Sequence, residues 1–385
     1  MSRNKPAVEH GGRALRLVSL LQGFAVVVFL STLAAAETAP LGDISIRYEI
    51  QNALDRALDR LGAFQKDDGA FGSGEDPAVT AWVLLAWAGD PTGRPRGRPG
   101  IGSAAGYRYL TNAPRTPEGL LSGPRSVSAT ALGVIALQSA RDQQFDSVTA
   151  GFRRALLSAR FTGTPGTDPG GVLKGGFSSG VPGELPGIES TQQVIRALYQ
   201  RPGSSPVAGS TGDAESIVGS AAGFVWRCQV DAVPGTNSAT LRPSDLGGFR
   251  SRPGPGTNAP ALVSTCEGIL AVMSAGTHPG DPRVLKAIDW IQDHYSITPE
   301  AAVPELARYR LYHTMAGVLS ALRLDILRPV DGRRIDWRYD LVKRLLDLQE
   351  VDGHWGSDRL TPDERILATA QAAFALEIAF HALDH

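Results

Sequence analysis

An eight-residue element, Q-x-x-D-G-x-aromatic-G, stands near both ends of the 385-residue chain and constrains its fold more than any other feature. It reads Gln65-Lys-Asp-Asp68-Gly69-Ala-Phe71-Gly72 in the first copy and Gln349-Glu-Val-Asp352-Gly353-His-Trp355-Gly356 in the second. Upstream of each copy lies an amphipathic pattern: Ile50, Ala53, Leu54, Ala57, Leu58, Leu61 and Phe64 follow helical spacing, as do Leu341, Leu345, Leu346 and Leu348. Arg and Asp fill the opposite face, so this helix has one wet side. Downstream comes a second segment that is apolar nearly all round, Val79 to Ala88 and Ile366 to Leu383. A helix without a polar face must be covered on all sides or line a cavity.

The second helix can be traced through the chain by a Thr followed six residues later by Ala. Thr80, Thr130, Thr191, Thr265 and Thr369 fit, and Met315 replaces Thr in the fifth unit, at spacings of 50, 61, 74, 50 and 54 residues. A period of that size points to a solenoid, propeller or closed array. The longer units carry Gly/Pro-rich loops, 162–187 and 233–260, which contain Gly175-Gly176-Phe177 and Gly247-Gly248-Phe249. No stretch alternates with a two-residue period, so almost no strand is expected. An open superhelix would need polar caps at its ends, and the last dry helix has none. The expected fold is therefore all-α, an (α/α)6 toroid of six helical hairpins over residues 44–384.

The first 36 residues read differently. Arg3, Lys5, Arg13 and Arg16 precede an apolar run from Leu17 to Leu33, which ends in Ala34-Ala35-Ala36. A basic stretch, an apolar stretch and small residues at the −3 and −1 positions form a secretory signal with cleavage before Glu37. The alternative is an uncleaved anchor, in which case the membrane is met only through this segment. The expected location is outside the cytoplasm, periplasmic or extracellular, where Cys228 and Cys266 could form a disulfide. The 38 basic and 39 acidic residues are spread along the chain, so no nucleic-acid face is expected.

The Gln-to-aromatic element followed by a Thr-bearing helix resembles the prenyltransferase and squalene-oxidase repeat of the terpenoid cyclase and protein prenyltransferase superfamily. That resemblance implies the toroid. It also implies that Gln65, Gly69, Phe71, Gln349, Gly353 and Trp355 are structural, tying neighbouring hairpins together. The superfamily's activities need further residues. The Asp-x-Asp-Asp acid of the protonating cyclases does not occur in this chain, and Asp67-Asp68 belongs to a turn. Leu262-Val263-Ser264-Thr265-Cys266 resembles the Leu-Val-Asp-x-Cys of the protein prenyltransferases, and Tyr312-His313-Thr314 resembles their Tyr-His-Thr. Ser264 replaces the Asp, so Cys266 and His313 make an incomplete zinc set and no cofactor is favoured. Gly176-Phe-Ser178-Ser-Gly180 fits G-x-S-x-G, but loop surrounds it where a nucleophile elbow needs a strand and a helix.

Two classes of function follow. In the first, an apolar centre binds an isoprenoid or other lipid chain, with or without cyclase-like or prenyltransferase-like chemistry at its mouth; Trp82, Glu267, Tyr312 and His313 are the candidate contacts. In the second, the centre is filled by side chains and the Gly/Pro loops contact a protein partner. Ala370, Ala372, Ala373 and Ala375 point to a narrow centre. A carbohydrate-active toroid is a further alternative, with Asp76, Glu189 and Glu267 as mouth carboxylates. For export, the expected outcome is a mature N-terminus at Glu37, read by N-terminal sequencing of protein recovered outside the cytoplasm; an intact N-terminus would favour the anchor.

Overall fold

Residues 41–97, 102–163, 168, 170–199, 211–231, 242–254, 259–298 and 303–384 are described by the computed structural model. The segment expected to direct export lies outside them. The described residues form α1 (Leu41–Gly62), α2 (Pro77–Gly89), α3 (Gly102–Asn112), α4 (Ser126–Ser139), α5 (Asp146–Ser158), α6 (Ile188–Leu198), α7 (Thr211–Cys228), α8 (Leu262–Ser274), α9 (Pro282–His294), α10 (Glu305–Ala321), α11 (Trp337–Leu348) and α12 (Pro362–Ala382). The strands β1 (Ile326–Leu327) and β2 (Ile335–Asp336) pair antiparallel between α10 and α11. The protein is all-α.

Helix starts follow local chemistry. Asp76 precedes Pro77 and its carboxylate accepts the Ala78 N–H at 3.0 Å. Asp281 does the same before Pro282, and Thr361 forms a capping box with Glu364 before Pro362. In each case Pro supplies a pre-set φ at a position whose N–H has no helical partner, and the cap takes up a free donor.

Odd-numbered and even-numbered helices differ in burial as the apolar pattern predicts. On α1 the stripe Ile50, Ala53, Leu54, Ala57, Leu58 and Leu61 is buried while Tyr48 and Glu49 face out. On α2 every residue but Ala88 is buried. The even-numbered helices pack on one another in sequence, α2 on α4, α4 on α6, α6 on α8, α8 on α10 and α10 on α12; α12 then packs on α2 and α1.

Five threonines on these helices perform one task. The hydroxyls of Thr80, Thr130, Thr191, Thr265 and Thr369 accept the buried backbone N–H groups of Phe71, Leu121, Phe177, Phe249 and Trp355, at 2.7 to 3.1 Å. Each bond pins the turn before a dry helix onto that helix and satisfies a donor that burial would otherwise strand. Glutamines make the lateral ties. Gln65 Nε2 donates to Gly102 O on α3 at 2.8 Å, and Gln229 Nε2 donates to Arg283 O on α9 at 2.8 Å. Gln349 Nε2 donates to Ala53 O on α1 at 2.9 Å, joining the last hairpin to the first helix. Arg60–Asp352 at 3.1 Å and Ser73 N–Asp363 at 2.8 Å span the same junction.

The turn glycines are required by close approach. Gly353 has φ +92°, and a Cβ there would lie 2.7 Å from Arg56 O on α1; Gly69 would meet Ala105 O on α3 at 2.2 Å. Gly353→Ala should therefore cost more than backbone strain alone, about 1–3 kcal/mol or above. Gly183→Ala, with φ +78° but open space around it, is the reference for strain alone. Urea denaturation midpoints compare the two; equal losses would show that the junction does not depend on the contact.

Candidate functional site

The dry helices enclose a cavity of about 540 Å³. First-turn residues line one end: Ala78 of α2, Ser128 of α4, Glu189 of α6, Leu306 of α10 and Glu364 of α12. These helix N-termini carry partial positive charge, which suits the carboxylates placed there. Deeper in, Trp82, Leu132, Leu270 and Phe374 supply apolar wall, and Arg196, Gln193, His313, Gln371 and Glu377 interrupt it. The centre is thus open, with polar side chains set in a largely apolar wall, where the Ala-rich helices had suggested a narrow one. Ala370, Ala372, Ala373 and Ala375 are fully buried and none of them lines the cavity.

At the mouth, Arg310 of α10 is shared between two carboxylates. It donates to Glu189 Oε2, and its Nε lies 3.4 Å from Glu267 Oε1 of α8. Burial works against the guanidinium charge, but Glu267 and Glu189 outweigh it and its pKa rises. Glu267 is only 2% exposed. Burial pushes its carboxyl up to about 8, with Arg310 pulling down and Glu189 pushing up. At neutral pH it holds a proton, next to an ion pair between Arg310 and Glu189.

One turn below Arg310 stands His313. Its ring packs on Trp82 with centroids 4.8 Å apart, and Trp82 meets Phe374 edge-on at 6.0 Å. Burial first, then the charges of Arg196 and Arg310, pushes the imidazole down to about 3, so it is neutral. Burial also lowers Arg196 to about 10, still charged at neutral pH.

At the opposite end Glu377 is 1% exposed, and neither carboxyl oxygen has a hydrogen-bond partner in the protein. It lies flat over α2 at Gly89, where a Cβ would fall 1.9 Å from Oε2. Burial and Asp90 raise its pKa well above the carboxylate range, and Arg96 pulls the other way. Arg96 is itself engaged by Asp90 at 2.7 Å, Asp59 at 2.8 Å and Asp55. Gln193 Oε1, Gln371 Oε1 and His313 Nε2 are likewise buried without a protein partner.

The structure brings Trp82, Glu267 and His313 to this cavity and leaves Tyr312 out of it. Tyr312 is fully buried and its hydroxyl donates to Ile297 O at 3.1 Å. Of the mouth carboxylates, Glu189 and Glu267 line the cavity, whereas Asp76 caps α2 and pairs with Arg125 at 2.7 Å. Cys228 and Cys266 are both free and buried. Burial, and the neighbouring Glu267, push the Cys266 thiol far up, which removes its thiolate character. Among the described residues no three His, Cys, Asp or Glu side chains stand where they could hold a metal ion, and no helix is long and apolar enough to cross a membrane. The G-x-S-x-G glycines do local work: Gly180 packs against the start of α4, where the Val127 and Ser128 N–H groups donate to Ser179 O.

Sequence reasoning missed Arg196, Gln193, Arg310, Gln371 and Glu377. The available signal was a charged or amide side chain inside a helix otherwise dry all round.

Glu267 fixes a pH dependence. Between about 4.5 and about 8 the unfolded chain releases this proton while the folded chain keeps it, so the folded state loses stability as pH rises through that window. Glu267→Gln removes the loss. Its stability relative to the parent should rise by about 1–3 kcal/mol from pH 5 to pH 8; a flat difference in denaturation midpoints would mean that Glu267 is ionised throughout. No protein-family model matches the chain, and the search among curated proteins finds no match, so a functional reading rests on the cavity itself.

Proposed function

We propose that the chain is an exported (α/α)6 toroid, similar to the terpenoid cyclase and protein prenyltransferase superfamily, whose centre binds a small organic molecule of mixed polarity. Six hairpins and the packing of α12 back on α2 and α1 support the toroid. The observation that carries the binding reading is the set of buried polar atoms around one cavity, on Gln193, His313, Gln371 and Glu377, that no protein group satisfies. Native proteins leave few such groups, because each costs about 1–3 kcal/mol. A ligand that supplies the missing partners recovers that cost. A purely apolar isoprenoid chain fits this wall poorly, while Trp82, Phe374 and Leu270 still offer it an apolar face.

Turnover is a second reading, favoured by one observation. Glu267 carries a proton at neutral pH beside the Arg310–Glu189 pair, the arrangement of a proton donor next to a fixed charge. Glu267→Gln would abolish turnover of a bound ligand and leave its retention intact.

Gly317 tests the binding reading without touching a polar group. It lines the cavity on α10, and a Cβ there meets only the Leu270 methyls, at 3.7 and 3.8 Å. Gly317→Leu should fold as well as the parent, since Gly costs about 1 kcal/mol in a helix interior, and should obstruct the cavity beside Leu270. Mass spectrometry of the small molecules released on denaturing the purified protein should show a compound with the parent and none with the variant. Identical extracts from both would sink the reading.

A further inference from the structure

We infer that the Glu377 end of the cavity is the seat of a primary ammonium group on the ligand. This rests on the binding reading above and adds the ligand's charge and orientation. Glu377 is a buried carboxyl that faces the cavity with both oxygens unpartnered. The nearby guanidinium, Arg96, is already held by Asp90, Asp55 and Asp59, so it is not available to neutralise a second carboxylate. Asp90 adds further negative charge to the same place. An incoming cation is the group that this corner lacks.

The surroundings favour an ammonium with N–H donors on an apolar stem. Phe374 is one helical turn from Glu377 on α12, and its ring meets that of Trp82. The two aromatic faces can cover an alkyl chain and attract the positive charge at its end. The other unsatisfied amide oxygens of the cavity, Oε1 of Gln371 and of Gln193, are acceptors. A primary ammonium carries three donors, which suits a cavity whose unsatisfied oxygens are acceptors. An anionic group seated at Glu377 would instead lie near the negative charge of Asp90.

Isothermal titration calorimetry at pH 7 with n-hexylamine, 1-hexanol and hexanoate tests the inference on purified protein freed of co-purifying compounds. The amine should bind at least tenfold more tightly than the alcohol, and hexanoate most weakly. Glu377→Gln should abolish the amine's advantage and leave hexanol affinity within about twofold. Gly89→Ala should do the same by displacing the carboxyl from its resting place, and guards against a folding defect peculiar to the first variant. Gly317→Leu should abolish binding of amine and alcohol alike, which excludes adsorption to surface carboxylates. Equal affinity for amine and alcohol in the parent, or an undiminished preference in Glu377→Gln, overturns the ammonium assignment while leaving the cavity a binding site. Failure of all three probes to bind overturns the assignment and the binding reading together.

Discussion

A threonine hydroxyl that accepts a single buried N–H is the interaction on which the architecture depends. It occurs before five of the six dry helices, at Thr80, Thr130, Thr191, Thr265 and Thr369. Four of the five also donate the hydroxyl proton to the carbonyl four residues back in the same helix, as Thr369 does to Arg365 O at 2.7 Å. One side chain thus fixes the turn against the helix and occupies its own donor, so a polar group sits in a dry layer without penalty. With the turn fixed, the Gln before it and the Gly within it reach the next wet helix in a set position. The lateral packing of hairpin on hairpin follows from that local bond.

The cavity breaks the rule that the rest of the layer obeys. Elsewhere on the dry helices, hydroxyls such as those of Thr80, Thr130 and Ser274 close on partners within the protein. Around the centre, burial raises the Glu267 and Glu377 carboxyls and lowers the His313 imidazole, while Arg310 keeps its charge beside Glu189. Such an arrangement costs stability, and proteins retain costs of this kind where something binds or reacts. The two ends differ in character. The mouth is a cluster of Arg310, Glu189 and Glu267, and the far end is Glu377, whose carboxyl has no hydrogen-bond partner in the protein.

The parts legible in the sequence were those set by backbone geometry at a fixed offset from a helix start. The helix starts at Asp76-Pro77 and Thr361-Pro362, the Thr positions, and the glycines of the turns obey local rules that a sequence displays directly. His313 was legible through the resemblance of Tyr312-His313-Thr314 to a known motif, and Glu267 through its place near the start of a dry helix. Gln371 and Glu377 were not, because the tally of small residues on α12 was read as a statement about the centre. Ala370, Ala372, Ala373 and Ala375 instead let α12 approach its neighbours closely, a property of the gaps between helices. Which side of a dry helix faces the axis depends on its rotation, and composition does not encode rotation. Tyr312 shows the same limit: one position from His313, it points about 100° away and into the layer behind.

The bond from Gln349 to Ala53 joins positions separated by almost 300 residues. During synthesis, α1 emerges first and its stripe from Ile50 to Leu61 has α2 to lean on but lacks α11 and α12, which cover its other flank. The other packings of dry helix on dry helix link adjacent hairpins and can form as each leaves the ribosome, whereas this seam waits for the final helix. Contacts of such high sequence separation are slow to form and leave apolar surface uncovered meanwhile. A nascent chain stalled anywhere before Pro362 would therefore display an oily α1 edge, the surface that holdase chaperones recognise.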